Sequence, residues 1–256
     1  MIRSSFIILP KVGPRRELTL WQEGVLDWDD FLARGHMKGF SLARKGELDQ
    51  CLQTADTFLD KGESGYFSAL LPTVEHWRLF ESFKEDCAYL DIETDGLGGD
   101  SVVTMVSVHR RGQTTTLVRG LGLSSASLAE ALQGTKMLVT YNGASFDLPR
   151  LHKEFPFTVP RVPHFDLRHG CGRLDWKGGL KGVEKRLGIA RPREVEFVTG
   201  EEAVYLWHLW QRKGSENALK LLMRYNVEDT RNLEEVARHV HRGLVIRARE
   251  AMAHGR

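Results

Sequence analysis

Cysteine is scarce in this sequence, and its three copies lie far apart. Cys51, Cys87 and Cys171 form no closely spaced pair of the kind that binds zinc, and they are too few for a disulfide-rich secreted domain. We therefore expect reduced thiols and a cytoplasmic location.

The sequence also lacks a long hydrophobic run and an excess of charge of one sign. No segment approaches the roughly 20 apolar residues that cross a bilayer, and the short apolar run near the start is broken by Pro10. A net charge of +2 over 256 residues neither requires nor excludes nucleic acid, because binding depends on where the basic residues lie. We expect a soluble protein without membrane contact, and 41% hydrophobic residues suffice for a substantial core.

Two acidic residues end an apolar segment at 87–98, which reads CAYLDIETDGLG. The segment has the pattern of a β-strand, and side chains alternate across a strand, so Asp91 and Glu93 lie on one face. Two carboxylates held this close repel each other, which favours a bound cation, and oxygen ligands suit Mg²⁺ or Mn²⁺. Taken alone, the segment also fits a strand that emerges into solvent at an Asp-Gly turn.

A further acid follows the apolar strand expected at 137–141, in the sequence TYNGASFDLPRL. Asn142 and Gly143 make a turn, and the helix that begins near Ser145 has Asp147 in its first turn. A helix N-terminus favours an anion even without a metal, which is the structural explanation of this acid. Binding sites of open α/β sheets also collect at the carboxyl ends of strands, however, and Asp147 follows such an end.

The last long helix, which begins near Ser215, has an acid on its apolar stripe. Asp229 stands where a hydrophobic residue is expected, and Tyr225 projects from the same face four residues earlier. A buried acid needs a partner. Tyr225 fits an ordinary core position, but beside an inward acid it becomes a candidate for positioning a water molecule.

The order of the predicted elements indicates a mixed α/β sheet. Strands at 102–108 and 114–118 follow the acidic strand as a meander, and a helix at 124–132 leads to the strand at 137–141. A fifth strand is predicted at 162–167. The sheet is therefore expected to have five strands, with helices on its flanks.

Two features after these strands have two explanations each. Asp166 either contacts a metal or caps the helix that follows, and we favour the cap. The basic stretch 173–193, interrupted by Trp176 and by glycines, is either a solvated surface or a contact for a phosphate backbone.

The N-terminal part is predicted to be a small helical region. Residues 1–40 have the pattern of a helix-hairpin-helix-like unit, and residues 41–84 form connecting helices. The turn LPKVGP resembles the phosphate-binding turn of helix-hairpin-helix elements, which directs backbone N–H groups at a phosphate. Lys11 stands where that family prefers glycine, so we favour a helical packing unit over a DNA clamp.

Together the acidic motifs resemble those of the ribonuclease-H-like DEDD exonucleases, in the DEDDy branch, whose third motif has a tyrosine. Asp91-Ile92-Glu93-Thr94 matches the first motif, Asn142 with Phe146-Asp147 the second, and Tyr225 with Asp229 the third. The likeness to the YprB-type predicted exonucleases is closer still and covers roughly residues 66–240. It is carried by the segments YLDIETDGLG, TYNGASFDLPRL, GLKGVEKRLGI and YNVEDTRNL.

This resemblance implies a ribonuclease-H-like exonuclease domain at 85–245. Such a domain would hydrolyse terminal phosphodiesters from the 3′ end and release nucleoside monophosphates. By resemblance, Asp91 would bridge two divalent cations, Mg²⁺ or Mn²⁺. Glu93 and Asp229 would complete one metal site, and Asp147 would act largely through bound water. Two ions about 4 Å apart also suit the chemistry, because cleavage places charge on both the attacking and the leaving oxygen.

The resemblance also implies the groups that handle water and substrate. Tyr225, assisted by Glu93, would position the attacking water. The main chain around Thr94, with Asn142 and Phe146, would hold the terminal nucleotide.

The expected partner is the 3′ end of a single strand of nucleic acid. DNA and RNA both stay open, since a 2′-hydroxyl is read by contacts that the sequence does not specify. A structure-selective endonuclease on the same fold is one alternative. A non-catalytic nucleic-acid-binding module is the other, although a pure binder has no reason to gather four carboxylates opposite phosphates.

Overall fold

The computed structural model describes residues 1–96 and 98–253 of the chain, and a five-stranded mixed sheet lies at its centre. Strands β1 (Cys87–Thr94), β2 (Val103–Arg110) and β3 (Gln113–Val118) form an antiparallel meander. Strands β4 (Met137–Thr140) and β5 (His164–Asp166) run parallel to β1, and the order is β3-β2-β1-β4-β5. The predicted mixed five-stranded sheet is confirmed, although Leu97 of the first acidic segment lies outside the described residues.

Helices flank both faces of this sheet and form the N-terminal region. In the described residues they are α1 (Pro14–Gln22), α2 (Trp28–Ala33), α3 (Leu42–Asp60), α4 (Ser64–Leu70), α5 (Phe80–Phe83), α6 (Ser125–Ala131), α7 (Asp147–Glu154), α8 (Leu167–Arg173), α9 (Gly179–Leu187), α10 (Arg193–Glu196), α11 (Gly200–Lys213) and α12 (Glu216–Ala253). Short 3-10 turns occur at Ile2–Ser4, Thr73–Leu79 and Lys84–Asp86. None of the helices in the described part of the chain is both long and apolar enough to cross a membrane.

The alternation of side chains along β1 divides the core into two layers. Ala88, Leu90 and Ile92 pack in a cluster on one face of the sheet, whereas Cys87 and Tyr89 belong to the cluster on the other face. The long helix α12 contributes to this second cluster and contacts β1. Because residues at i and i+2 share a face, the acids that follow Tyr89 in β1 also face the layer that contains α12.

Helix α2 begins at a side-chain cap. The Asp27 carboxylate accepts a hydrogen bond from the Asp30 amide at 2.9 Å, and Asp30 accepts one from the Leu26 amide at 2.9 Å. Lys11 has φ of +63°, in the left-handed region that favours glycine. The turn therefore has a backbone conformation typical of glycine even though lysine occupies the position.

Burial of charge fixes this N-terminal region against the connecting segment. The Glu17 carboxylate accepts hydrogen bonds from the amide of Phe6 at 2.7 Å and from the Arg78 guanidinium at 2.9 Å. One apolar cluster runs from Ile2 and Phe6 to Phe165 in β5, so the N-terminal side chains share a core with the sheet. The domain boundaries expected after residues 40 and 84 stay predictions.

Candidate active site

Three of the predicted acids meet where β1 passes α12. Asp91 and Glu93 project from β1 toward α12, and Asp229 faces them from that helix. One oxygen from each of these carboxylates lies within 4.8 Å of the others. The arrangement is a set of hard oxygen donors at a spacing that one cation could span.

The fourth acid, Asp147, is placed beside β1 by the start of α7. Its side chain is 3% exposed, and its Oδ1 accepts a hydrogen bond from the Ile92 amide at 3.2 Å. Asp147 is not one of the three acids within 4.8 Å of one another, but all four acids line one cavity. The four acids that the motifs single out therefore lie together near the carboxyl end of β1.

This cavity has a volume of about 180 Å³ and collects every predicted site residue. The tyrosine of the third motif and the three expected substrate contacts are all in its wall. The predicted residues that line it are Asp91, Glu93, Thr94, Asn142, Phe146, Asp147, Tyr225 and Asp229. The structure thus brings the predicted residues together, while their individual roles stay predictions.

The electrostatics of the cavity are those of carboxylates that cannot all be charged without compensation. Burial, followed by the charges of Asp229 and Asp147, raises the pKa of both Asp91 and Glu93 well above their usual values. Burial also raises the pKa of Asp147 to about 7. Burial raises the pKa of Asp229 although the adjacent Arg191 acts to lower it. A divalent cation fits this donor set, because it would favour the charged form of each carboxylate.

An amide on α12 supports the first acid. Asn226 is fully buried, and its Nδ2 donates a hydrogen bond to Asp91 Oδ2 at 2.6 Å. The Asn226 Oδ1 has no hydrogen-bond partner among the described residues. Sequence reasoning missed this residue, although its position three residues before Asp229 places both side chains on one helical face.

A buried arginine supports the third motif and was also missed. The Arg191 side chain is 4% exposed, and its Nε and Nη2 donate to the two oxygens of Glu184 at 2.6 and 2.7 Å. Its Nη1 pairs with Asp229 Oδ1. In the sequence Arg191 is one of several cations in the basic stretch 173–193, and no local pattern separates it from the others.

A lysine of the same stretch also lies near the tyrosine. Lys181 Nζ is 5.3 Å from the centre of the Tyr225 ring, and the Arg191 guanidinium carbon is 6.0 Å from it. Lys181 also donates to the carbonyl oxygens of Glu196 and Val198, just before α11. The basic stretch is therefore partly a packing element of the third motif, which neither sequence explanation included.

The turn that carries the second motif is held by Asp166. Its carboxylate accepts hydrogen bonds from the amides of Asn142 at 2.8 Å, Ala144 at 3.0 Å and Arg168 at 3.0 Å. The last of these caps α8, so the favoured capping role is confirmed. A Cβ at Gly143 would lie 2.3 Å from Thr140 Oγ1, so this close turn requires glycine.

Comparison with known proteins gives a family match and two individual likenesses. The model of the RNase H superfamily matches residues 88–241. The uncharacterized protein YprB of Bacillus subtilis (strain 168) is 29% identical over an alignment of 183 residues, and the match covers 63% of this chain and 43% of YprB. The matched region thus spans less than half of that relative. These two findings confirm the predicted likeness to ribonuclease-H-like and YprB-type proteins.

A solved structure is also similar to part of the chain. It is the family B DNA polymerase from the hyperthermophilic archaeon Pyrobaculum calidifontis, with 18% identity and a TM-score of 0.48. The likeness covers 60% of this chain and 24% of the polymerase chain.

Proposed function

Because this chain belongs to the RNase H superfamily, we propose that it is a metal-dependent 3′–5′ exonuclease. The proposed reaction removes nucleoside monophosphates from single strands of DNA or RNA. The observation that carries the proposal is that four acids from three separate segments line one cavity, together with the tyrosine of the third motif. A cavity of this composition suits phosphodiester hydrolysis better than binding alone, because unpaired carboxylates repel a phosphate backbone.

The acids are the groups that would hold the metal. Asp91, Glu93, Asp147 and Asp229 would bind two divalent cations, Mg²⁺ or Mn²⁺, which would offset charge on the attacking and leaving oxygens. Asn226 would keep Asp91 in one orientation through its hydrogen bond. Arg191 would do the same for Asp229.

Tyr225 is the proposed positioning group for the attacking water. Burial and the nearby charge of Asp229 raise the pKa of its phenol, so the hydroxyl stays protonated over the whole range of ordinary assays. A protonated phenol donates a hydrogen bond and orients a water molecule, but it does not act as a general base. Glu93, in the same cavity, is the acceptor proposed to assist it.

Thr94, Asn142 and Phe146 are the proposed contacts of the terminal nucleotide. The Phe146 ring is held by the Arg150 guanidinium, whose carbon lies 3.8 Å from the ring centre, and Arg150 Nη1 donates to the Phe146 carbonyl oxygen at 3.2 Å. Asn142 Oδ1 accepts hydrogen bonds from Ser145 at 2.8 Å and from Arg168 at 2.6 Å. These contacts fix both side chains before any substrate arrives, which favours binding of one defined nucleotide pose.

The test is degradation of 3′-labelled and 5′-labelled single strands of DNA and RNA, with and without Mg²⁺ or Mn²⁺. The wild-type protein is expected to release a labelled mononucleotide from the 3′ end at once. Asp91→Ala and Asp229→Asn should each lower the rate by at least about a hundredfold, the order of loss caused by removing one group that stabilises charge in the transition state. Asp100→Asn is the matched control, since this aspartate is fully exposed and lines no described cavity.

Other outcomes would replace the proposal. Cleavage of circular single strands would indicate the structure-selective endonuclease instead. Unchanged metal-dependent degradation by Asp229→Asn would contradict the proposed site. Binding of single strands without any degradation would indicate the non-catalytic module.

A further inference from the structure

A second and larger cavity opens beside the acid cavity. Its volume is about 600 Å³, and it shares Asp91, Tyr141, Asn142 and Asp229 with the smaller one. The acids therefore lie at the junction of two connected spaces. The wall that belongs to the larger cavity includes Arg168, Trp176, Lys177, Gly178, Gly179 and Leu180. We call this larger cavity the Trp176 groove.

The wall of the Trp176 groove combines positive charge with one aromatic ring. Arg168 and Lys177 are exposed, and among the described residues of the wall the only carboxylates are the two that the groove shares with the acid cavity. Trp176 is partly buried, and its ring is 5.6 Å from the Arg186 guanidinium carbon, so its position is fixed on one side. Cations that track a backbone beside an aromatic platform suit a single strand, because unpaired bases have free faces for stacking.

Arg168 links the two cavities. Its Nη1 donates to Asn142 Oδ1 at 2.6 Å, and Asn142 lines both spaces. A phosphate at this junction would thus be within the field of a guanidinium that Asn142 holds in place. The acids then lie between the smaller cavity and the basic wall of the larger one.

Resting on the proposed exonuclease function, we propose that the Trp176 groove binds the nucleotides that precede the scissile linkage of a single strand. The terminal nucleotide occupies the smaller cavity at Thr94 and Phe146. The strand then crosses the acids and continues along Arg168 and Lys177, with an unpaired base against Trp176. The groove thereby selects single strands over duplex ends and makes the rate depend on strand length.

Two substrates separate the groove from the reaction itself. The p-nitrophenyl ester of thymidine 5′-monophosphate has one nucleotide and reaches only the acid cavity, whereas an oligothymidylate fills both spaces. In the variant Trp176→Ala, kcat/KM for the oligothymidylate should fall about tenfold, the order of one base-stacking contact. Lys177→Ala should lower it about threefold and flatten its dependence on salt, because one phosphate contact is lost. Hydrolysis of the ester should change less than twofold in both variants.

The control for these variants is Lys61→Ala, which removes one exposed cation from the end of α3, outside both cavities. It should leave both substrates unaffected. Circular dichroism of each variant checks that the fold is intact. An equal loss on the ester and on the oligothymidylate would overturn the groove assignment, as would an unchanged rate on the oligothymidylate.

Binding is measured separately, so that failure of the reaction is distinguishable from failure of the groove. The probe is a 5′-fluorescein oligothymidylate whose 3′-terminal linkages are phosphorothioates, followed by fluorescence anisotropy. Trp176→Ala should weaken its binding about tenfold, whether or not the wild-type protein hydrolyses either substrate. If neither substrate is hydrolysed but this loss is seen, the proposed function fails and the groove stands. Equal binding by wild type and variant, or a blunt duplex binding as tightly as the single strand, would overturn the groove.

Discussion

Replacing Arg191 by glutamine is the most informative test of how the candidate site is built. The side chain is 4% exposed and pairs with two carboxylates, those of Glu184 and Asp229. Glu184 has a second support, because Asn232 Nδ2 donates to its Oε1 at 2.9 Å. The variant Arg191→Gln keeps a polar side chain but removes the positive charge. Glu184 and Asp229 then both lose the buried guanidinium with which they pair.

Removing one partner of a buried ion pair costs about 3–5 kcal/mol, because an uncompensated charge stays in the interior. For a chain of this length, a loss of that size lowers the melting temperature by on the order of 10 °C. The assay is thermal unfolding followed by circular dichroism in EDTA, so that no divalent cation replaces the lost charge. Arg191→Lys should recover part of the loss, since one ammonium group restores the charge but not the paired contact with Glu184.

The matched control is Arg224→Gln, at an exposed arginine of α12. Arg224 pairs with Glu194, and both side chains are about half exposed, at 51% and 58%. Exposed pairs contribute less than about 1 kcal/mol, so this variant should melt within a few degrees of the wild type. If Arg191→Gln is as stable as Arg224→Gln, the buried pair does not hold the third motif and the reasoning is wrong.

Three further predictions concern the tyrosine, the second-motif turn and the pH dependence. Tyr225→Phe keeps the ring and removes the hydroxyl, so kcat of the proposed reaction should fall about a hundredfold with little change in KM; an unchanged kcat in steady-state assays would exclude the positioning role. Asp166→Ala leaves three backbone N–H groups without their acceptor. It should lower the free energy of unfolding in urea by about 2–3 kcal/mol, and an equal midpoint would contradict this. The pKa of Asp147 is about 7 in the folded protein against 3.8 for the ordinary side chain, so the folded state retains a proton that the unfolded state loses. Stability in EDTA should therefore decrease as the pH rises from about 4 to about 7, and Asp147→Asn should remove part of that decrease in a series of pH-dependent melts.

The position of the first two acids could be predicted because it depends on local geometry. A strand has a period of two residues, so the sequence of β1 places Asp91 and Glu93 on the face opposite Leu90 and Ile92. Which helix covers that face could not be predicted in this way, because it depends on how distant parts of the chain fold back onto the sheet. The structure covers it with α12, more than a hundred residues later in the chain.

The glycine and capping signals were equally informative for the turns. The Asn142-Gly143 pair predicted the turn between β4 and α7, and Asp27, which caps the start of α2, is a residue type that favours such a cap. Lys11 shows the limit of such signals, because it has φ of +63° at a position where glycine is the usual residue. Residue preference is a free-energy difference of about 1–2 kcal/mol, and surrounding packing can offset it. Whether this N-terminal turn contacts nucleic acid stays a prediction.

Arg191 and Asn226 were both missed in the sequence, for two different reasons. Asn226 lies on a regular helix three residues before Asp229, so a search for polar residues on the buried face of α12 would have found it. Arg191 follows the end of α9 at Gly188 and precedes α10, in a segment without regular structure. Its burial depends on Glu184 and Asp229, which contact it from two different helices. Neither contact produces a periodic pattern of residues in the sequence.

The buried acid on α12 shows that the need for a compensating group can be predicted from the sequence, whereas the residue that provides it cannot. Asp229 interrupts an apolar stripe, and a carboxylate in such a place needs a compensating group, so the sequence alone predicts that a partner exists. Tyr225, on the same face, was the local candidate. The structure adds Arg191, which is 38 residues away in sequence and supplies the charge that a phenol lacks. Any cation brought near by the fold would compensate this carboxylate, so the need for a cation does not identify the residue.

The same reasoning applies to Asp91 and Glu93. Their raised pKa values show that the described residues compensate the negative charge of these carboxylates only in part. Their remaining need for a cation is the physical reason to expect metal at this end of the sheet.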